Sequence, residues 1–181
     1  MQIKVNKTEG TGKTKGYASL TIEPQGEVSV KITVPQQETG AVKAYASMTV
    51  ADATVGEVVI TGMKVLESDK GLFVSMPNRK GNDGNYHDIA FPITADGRKA
   101  IQDVVIAAYN GVDATGKGSA TGVVTGGIVI NGIKLLEGAN GDFVAMPQRQ
   151  SPDGTYHDIA FPITAEGRKT IADAVVAEYS A

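Results

Sequence analysis

Residues 86–95 read YHDIAFPITA, and residues 156–165 read the same letters again. Each copy runs on into a carboxylate, a glycine, an arginine and a lysine. These are Asp96, Gly97, Arg98 and Lys99 in the first copy, and Glu166, Gly167, Arg168 and Lys169 in the second. The match spreads outward without a gap. Residues 71–109 and 141–179 agree at roughly two-thirds of positions, a self-similarity that must be settled before any fold is assigned. Upstream, ITGMKVLE at 60–67 matches INGIKLLE at 130–137 at the same offset. The chain contains a duplicated module.

Around each phrase the pattern is that of strands followed by one helix. Apolar-rich runs at 55–66 and 128–136 read as long strands. They turn through Lys-Gly or Asn-Gly into the short strands FVSM (73–76) and FVAM (143–146), because glycine tolerates the positive φ of a tight turn. Pro77 and Pro147 end these strands by removing a ladder donor. Polar loops are expected at 78–84 and 148–154, and Asp-Gly then leads into the phrase. After Pro92 and Pro162 the spacing changes to helical. Ile101, Val104, Val105 and Ala108 share one face, as do Ile171, Ala174 and Val175, with Glu178 the imperfect member. Thr94 and Thr164 stand where caps are needed, and Asp96 and Glu166 favour the first turn. Gly97 and Gly167 work against the helix by about 1 kcal/mol relative to alanine. The fold class is α+β: two similar modules, each an antiparallel sheet carrying one C-terminal helix.

The front of the chain is strand-like at 2–7, 17–22, 28–34 and 42–50, where apolar and polar residues alternate. A second repeat lies here, since KGYASLTI at 15–22 parallels KAYASMTV at 43–50, each after a loop containing Thr-Gly. The order is therefore hairpin, hairpin, unit, unit. Residues 110–127 are rich in Gly, Ala, Thr and Ser and hold no such hairpin, so the second unit has none directly before it. A strand face without a neighbour would expose apolar side chains and an unpaired edge. The expected arrangement is a first module at 26–110 and a second at 111–181, completed by the N-terminal hairpin 1–23. Chance resemblance between short strands is the alternative, because strand sequences are degenerate.

Composition bounds the function. The 41% hydrophobic and 20% charged residues are ordinary for a globular chain. With 181 residues, each module has a modest core that gains from packing on the other. The formal net charge of −3 means that any polyanion must be met by local patches. No cysteine is present, which excludes disulfides and thiolate metal sites. No apolar run approaches spanning length, so no membrane partner is expected and a cytoplasmic location is. No cofactor motif is present in a plausible context. GTGKT at 10–14 lacks the spacing of a phosphate loop and leads into strand pattern rather than helix.

The candidate binding residues are basic: Arg79, Lys80 and Arg149 in the loops, and Arg98, Lys99, Arg168 and Lys169 at the helix starts. Helix N-termini favour anions, and phosphate contacts supply most non-specific nucleic-acid affinity. The competing reading is a solvated face balanced by neighbouring Asp and Glu. His87-Asp88 and His157-Asp158 invite a catalytic or metal reading, but adjacent strand residues point to opposite faces and would not converge. An exposed or hydrogen-bonded histidine is the expectation, and no catalytic residue is assigned.

A glycine-initiated FV(A/S)MP strand, a basic loop, Asp-Gly, an aromatic, DIA, a Pro-Ile, then a helix with Arg-Lys and I-x-D ending at Tyr109 or Tyr179 resembles the SpoVG family (stage V sporulation protein G, a septation regulator). The hairpins at 15–22 and 43–50 resemble that family's N-terminal strands, so the likeness covers nearly the whole chain as a tandem. The resemblance implies small dimerising α+β domains, here fused as a pseudo-dimer. It also implies binding of DNA, RNA or both, and roles in gene regulation, septation and sporulation; with no catalytic motif in a plausible context, an enzyme is not expected. The alternative is a structural or protein-interaction module that keeps the fold. His87 and His157 stand where the family usually has a basic residue, and Phe91 and Phe161 where it often has histidine. Arg149 lies between glutamines where the first module has Arg79-Lys80, so the second module carries the smaller basic set.

Overall fold

Alternation of buried and exposed residues builds two antiparallel sheets, and each sheet takes an AFP strand from the other module. The computed structural model describes residues 1–10, 12–37 and 40–181. The Thr-Gly loops expected before the two YAS strands fall partly on Thr11 and Thr39, outside those residues. In chain order the first strands are β1 (Gln2–Lys7), β2 (Thr14–Ile22), β3 (Glu27–Thr33), β4 (Val42–Asp52), β5 (Gly56–Ser68) and β6 (Gly71–Ser75). Next come β7 (Asn78–Lys80), β8 (Tyr86–Asp88), β9 (Ala90–Pro92) and the helix α1 (Ala95–Asn110). The second half runs β10 (Lys117–Val123), β11 (Ile128–Gly138), β12 (Gly141–Ala145) and β13 (Gln148–Gln150). It ends with β14 (Tyr156–Asp158), β15 (Ala160–Pro162) and α2 (Ala165–Ser180).

One sheet has the order β1-β2-β11-β12. The other has the order β10-β3-β4-β5, with β6 also on β5. Here β2 lies on β11, with Ile22 opposite Ile128 and Leu20 opposite Ile130. Besides β10, which pairs with β3, the two AFP triplets cross between modules. The AFP triplet of the first phrase, β9, pairs with β11, placing Phe91 opposite Val129 and Pro92 opposite Ile128. The AFP triplet of the second, β15, pairs with β5, placing Phe161 opposite Val59 and Pro162 opposite Val58. The exchange is reciprocal and in the same register on both sides, so the halves form an intramolecular pseudo-dimer.

Glycine sets up this exchange. Gly62 and Gly132 both have φ of +82, a conformation that costs other residues dearly. Register shifts in the β4–β5 and β2–β11 ladders fall beside them. Along one edge of β5, β15 pairs before Gly62 and β6 after it, and the Thr61 amide donates to the Ile159 carbonyl at 2.7 Å. The Asn131 amide does the same to Ile89 at 2.7 Å.

Both helices begin as expected. The Thr94 hydroxyl accepts from the Gly97 amide at 2.9 Å, and the Thr164 hydroxyl from the Gly167 amide at 3.0 Å. The helix glycines have a packing reason that the sequence does not display. A Cβ on Gly97 would lie 2.9 Å from the Thr125 carbonyl oxygen, and one on Gly167 would lie 2.5 Å from that of Val55. The helix starts thus rest against backbone at the ends of β10 and β4. The buried residues of both sheets and both helices, among them Leu20, Met48, Ile60, Ile130, Ile101 and Ile171, form one continuous core. Each fully buried side chain of this size contributes about 1.5–3 kcal/mol.

Two sequence expectations need correcting. Residues 117–123, given no strand above, form β10, which pairs with β3 from Lys117–Thr33 to Val123–Glu27 and lies under α1. The expected polar loops at 78–84 and 148–154 begin as strands, since β7 pairs with β8 and β13 with β14 as two small hairpins.

Candidate nucleic-acid interface

The hairpins place Arg79 directly opposite His87 and Arg149 directly opposite His157. The guanidinium of Arg79 reaches into the other module. A Cβ on Gly132 would lie 3.3 Å from its terminal nitrogen. Arg149 reaches the opposite way and lines a cleft of about 100 Å³ together with Thr61, Lys64, Asn78 and Arg79. Arginines from both modules therefore meet at the module boundary. Among the described residues, no carboxylate lies within ion-pair distance of Arg79, Lys80, Arg149 or Lys64. All three positions of β7 and of β13 are exposed.

The helix-start cations are placed differently. Arg98 pairs with Asp88 at 3.3 Å, and Arg168 with Asp158 at 3.0 Å, tying each helix back to its own phrase. Asp158 also accepts from the Gln148 amide at 2.8 Å, so this carboxylate joins helix and hairpin. Lys99 pairs with Asp103 at 2.6 Å one turn along, and Lys169 pairs with Asp173 likewise. The hydrogen bond it donates to Asp103 holds the Lys99 ammonium above its ordinary pKa. Such exposed pairs contribute little to stability, but they lower the charge offered to a polyanion.

The histidines do not face their neighbouring aspartates. His87 meets Asp83 through Nε2 at 2.9 Å, and His157 meets the Thr155 hydroxyl at 3.1 Å. The Asp83 carboxyl is held below the usual range by the Asn85 backbone N–H and then by His87. Among the described residues, no group of three or more His, Cys, Asp or Glu side chains is arranged to hold a metal ion. Among the described residues, no helix is long and apolar enough to cross a membrane.

Two similar modules with reciprocal strand exchange, each ending in a Thr-capped helix, correspond to two matches of one family model. The SpoVG model covers residues 26–111 and again 113–181. The chain belongs to the SpoVG family. It is 44% identical over 87 residues to a protein of Symbiobacterium thermophilum named as septation protein SpoVG, covering 48% of this chain and 59% of that one. It is 44% identical over 73 residues to the Agathobacter rectalis protein of the same name, covering 40% of this chain and 79% of the other. A SpoVG-named protein of Archaeoglobus fulgidus is 44% identical over 70 residues, covering 39% of this chain and 78% of that relative. Each match spans less than half of this chain, about the length of one module, as a tandem requires.

Proposed function

We propose that this SpoVG pseudo-dimer is a nucleic-acid-binding regulator, acting in septation and sporulation in the cytoplasm and catalysing no reaction. The supporting observation is that Arg79 and Arg149, from different modules, line one cleft with Lys64 and have no carboxylate partner among the described residues. Cations free of internal partners are those able to displace counterions from a phosphate backbone. Arg79, Lys80 and Arg149 carry the phosphate contacts. Arg98, Lys99, Arg168 and Lys169 flank them at lower effective charge. In this reading residues 1–23 belong with residues 111–181 as one unit, and residues 26–110 form the other.

The test is fluorescence anisotropy of labelled DNA and RNA titrated with the full chain at several salt concentrations. Steeply falling affinity with rising salt supports the reading, and no binding at low ionic strength overturns it. A second reading, a protein-interaction module without nucleic-acid affinity, is favoured by the neutralised helix starts and the net charge of −3.

A further inference from the structure

We infer that the open face of the β10-β3-β4-β5 sheet is a stacking platform for an unpaired nucleic-acid strand, with Tyr45 the residue that stacks on a base. The inference rests on the nucleic-acid reading above and names the form of nucleic acid that site takes. Residues at alternate positions of β4 point away from the core: Ala44 and Ala46 are buried, while Tyr45 between them is 39% exposed. The register sets a row across the face, with Lys117 opposite Thr33, Thr33 opposite Tyr45, and Tyr45 opposite Lys64. At ordinary strand spacing this row spans about 14 Å. Lys31 stands on the same face, and Arg149 of the other module lines one groove with it and Tyr45.

The charge around Tyr45 is basic, while Glu27 and Glu57 stand exposed at the far end of the same face. Among the described residues, Lys31, Lys64, Lys117 and Arg149 have no ion-pair partner. Lys117 donates to the Thr33 hydroxyl at 3.3 Å, and Asp113, which accepts from Thr115 and the Lys117 amide, also interacts with the Lys117 charge. Glu67 is engaged with Lys43 at 3.1 Å. Thr33, Ser47 and Thr61 line one groove beside Tyr45, and Gln150, Ser151 and Pro152 of the other module line a second. An aromatic ring flanked by lysines and an arginine that make no ion pair among the described residues fits a base with an exposed π-face and phosphates on either side. A duplex hides those faces within its own stack. Stacking and phosphate contacts do not read the sugar, so unpaired DNA and unpaired RNA are one class of ligand here.

The second sheet repeats the arrangement. Tyr17, 45% exposed, stands opposite Lys134, and Arg79 of the other module overhangs Gly132 two residues before that lysine. Two platforms related by the pseudo-two-fold axis would let one strand engage both, raising affinity by effective concentration.

The experiment uses the full chain, with labelled oligo-dT and oligo-rU of about 20 nucleotides and a duplex of equal length. Replacing both Tyr17→Ala and Tyr45→Ala is expected to weaken both single strands about tenfold or more and to leave the duplex within about twofold. The Tyr17→Phe, Tyr45→Phe pair keeps single-strand affinity. Because the chain has no tryptophan, its tyrosine emission is a second readout that needs no destabilising change. Saturating oligo-dT is expected to quench it, and the quenching falls away in the Phe pair. Unchanged single-strand affinity in the Ala pair, or emission unaffected at saturation, overturns the platform while salt-dependent binding leaves the nucleic-acid reading standing. No binding by the unmodified chain at low salt removes both.

Discussion

The backbone amide of Thr61 donates to the carbonyl of Ile159 at 2.7 Å, joining the first module to the second, and Asn131 returns the same bond to Ile89. These bonds continue the ladders β15 makes with β5 and β9 makes with β11. The repeated phrase is thus the means by which each half completes the other's sheet.

Gly167 sits at a buried helix start where a Cβ would lie 2.5 Å from the Val55 carbonyl oxygen. Helix propensity alone predicts that Gly167→Ala stabilises by about 1 kcal/mol. Backbone cannot give way as a flexible side chain can, so we expect destabilisation of about 1–3 kcal/mol. Urea unfolding of the single variant reads the sign directly.

The caps are equivalent and should act alike. Thr94→Ala and Thr164→Ala each remove the acceptor for a buried glycine amide. Each is expected to lose about 1 kcal/mol, and serine should recover most of it. Thermal denaturation of the four single variants checks this.

Asp52 is 4% exposed and accepts from the amides of Glu23, Thr54 and Val55 at 2.8–3.0 Å, tying β4 to the end of β2. Burial pushes its carboxyl up, but these backbone donors outweigh that and hold it below the ordinary value. A carboxylate depressed in the folded state contributes stability that is present above its unfolded pKa of about 3.9. That contribution is lost as pH falls through the lower folded value. Asp52→Asn should therefore flatten the acid limb of stability against pH, whereas Asp52→Ala should cost about 1–3 kcal/mol at neutral pH through its orphaned donors. Urea midpoints across the acid range test both.

The two classes of arginine should separate in a salt titration. Arg79→Ala with Arg149→Ala removes cations that have no partner, and the log–log salt slope should shrink by about 2. Arg98→Gln with Arg168→Gln breaks pairs with Asp88 and Asp158, so the slope should change by less. Equal effects from both pairs would contradict the division drawn between them.

Much of this fold is written in local pattern: the Thr94 and Thr164 caps, the Ile101-Val104-Val105-Ala108 stripe, and the duplicated strands. The strand β10 is not. Its sequence, KGSATGV, places glycines where α1 presses closest. A Cβ on Gly118 would lie 2.2 Å from the Ala108 carbonyl oxygen, and one on Gly122 would lie 2.3 Å from a Val104 methyl. Tertiary packing removed the side chains that mark a strand. The crossing of β9 and β15 was illegible for another reason. VVI at 58–60 and IVI at 128–130 offer nearly the same partner, so the sequence cannot say which one an AFP triplet takes. For the candidate site, residue types showed where the cations are. Their division into paired helix-start and unpaired hairpin groups depends on side-chain geometry that spacing does not encode.

The central claim is that reciprocal strand exchange makes the two halves one cooperative body. Native-state hydrogen exchange at the amides of Thr61 and Asn131 tests it most directly. The account predicts that both open only with the deepest amides of β4 and β11, at the free energy of global unfolding. Exchange of these two amides at a distinctly lower free energy, with each half still protected, would contradict it.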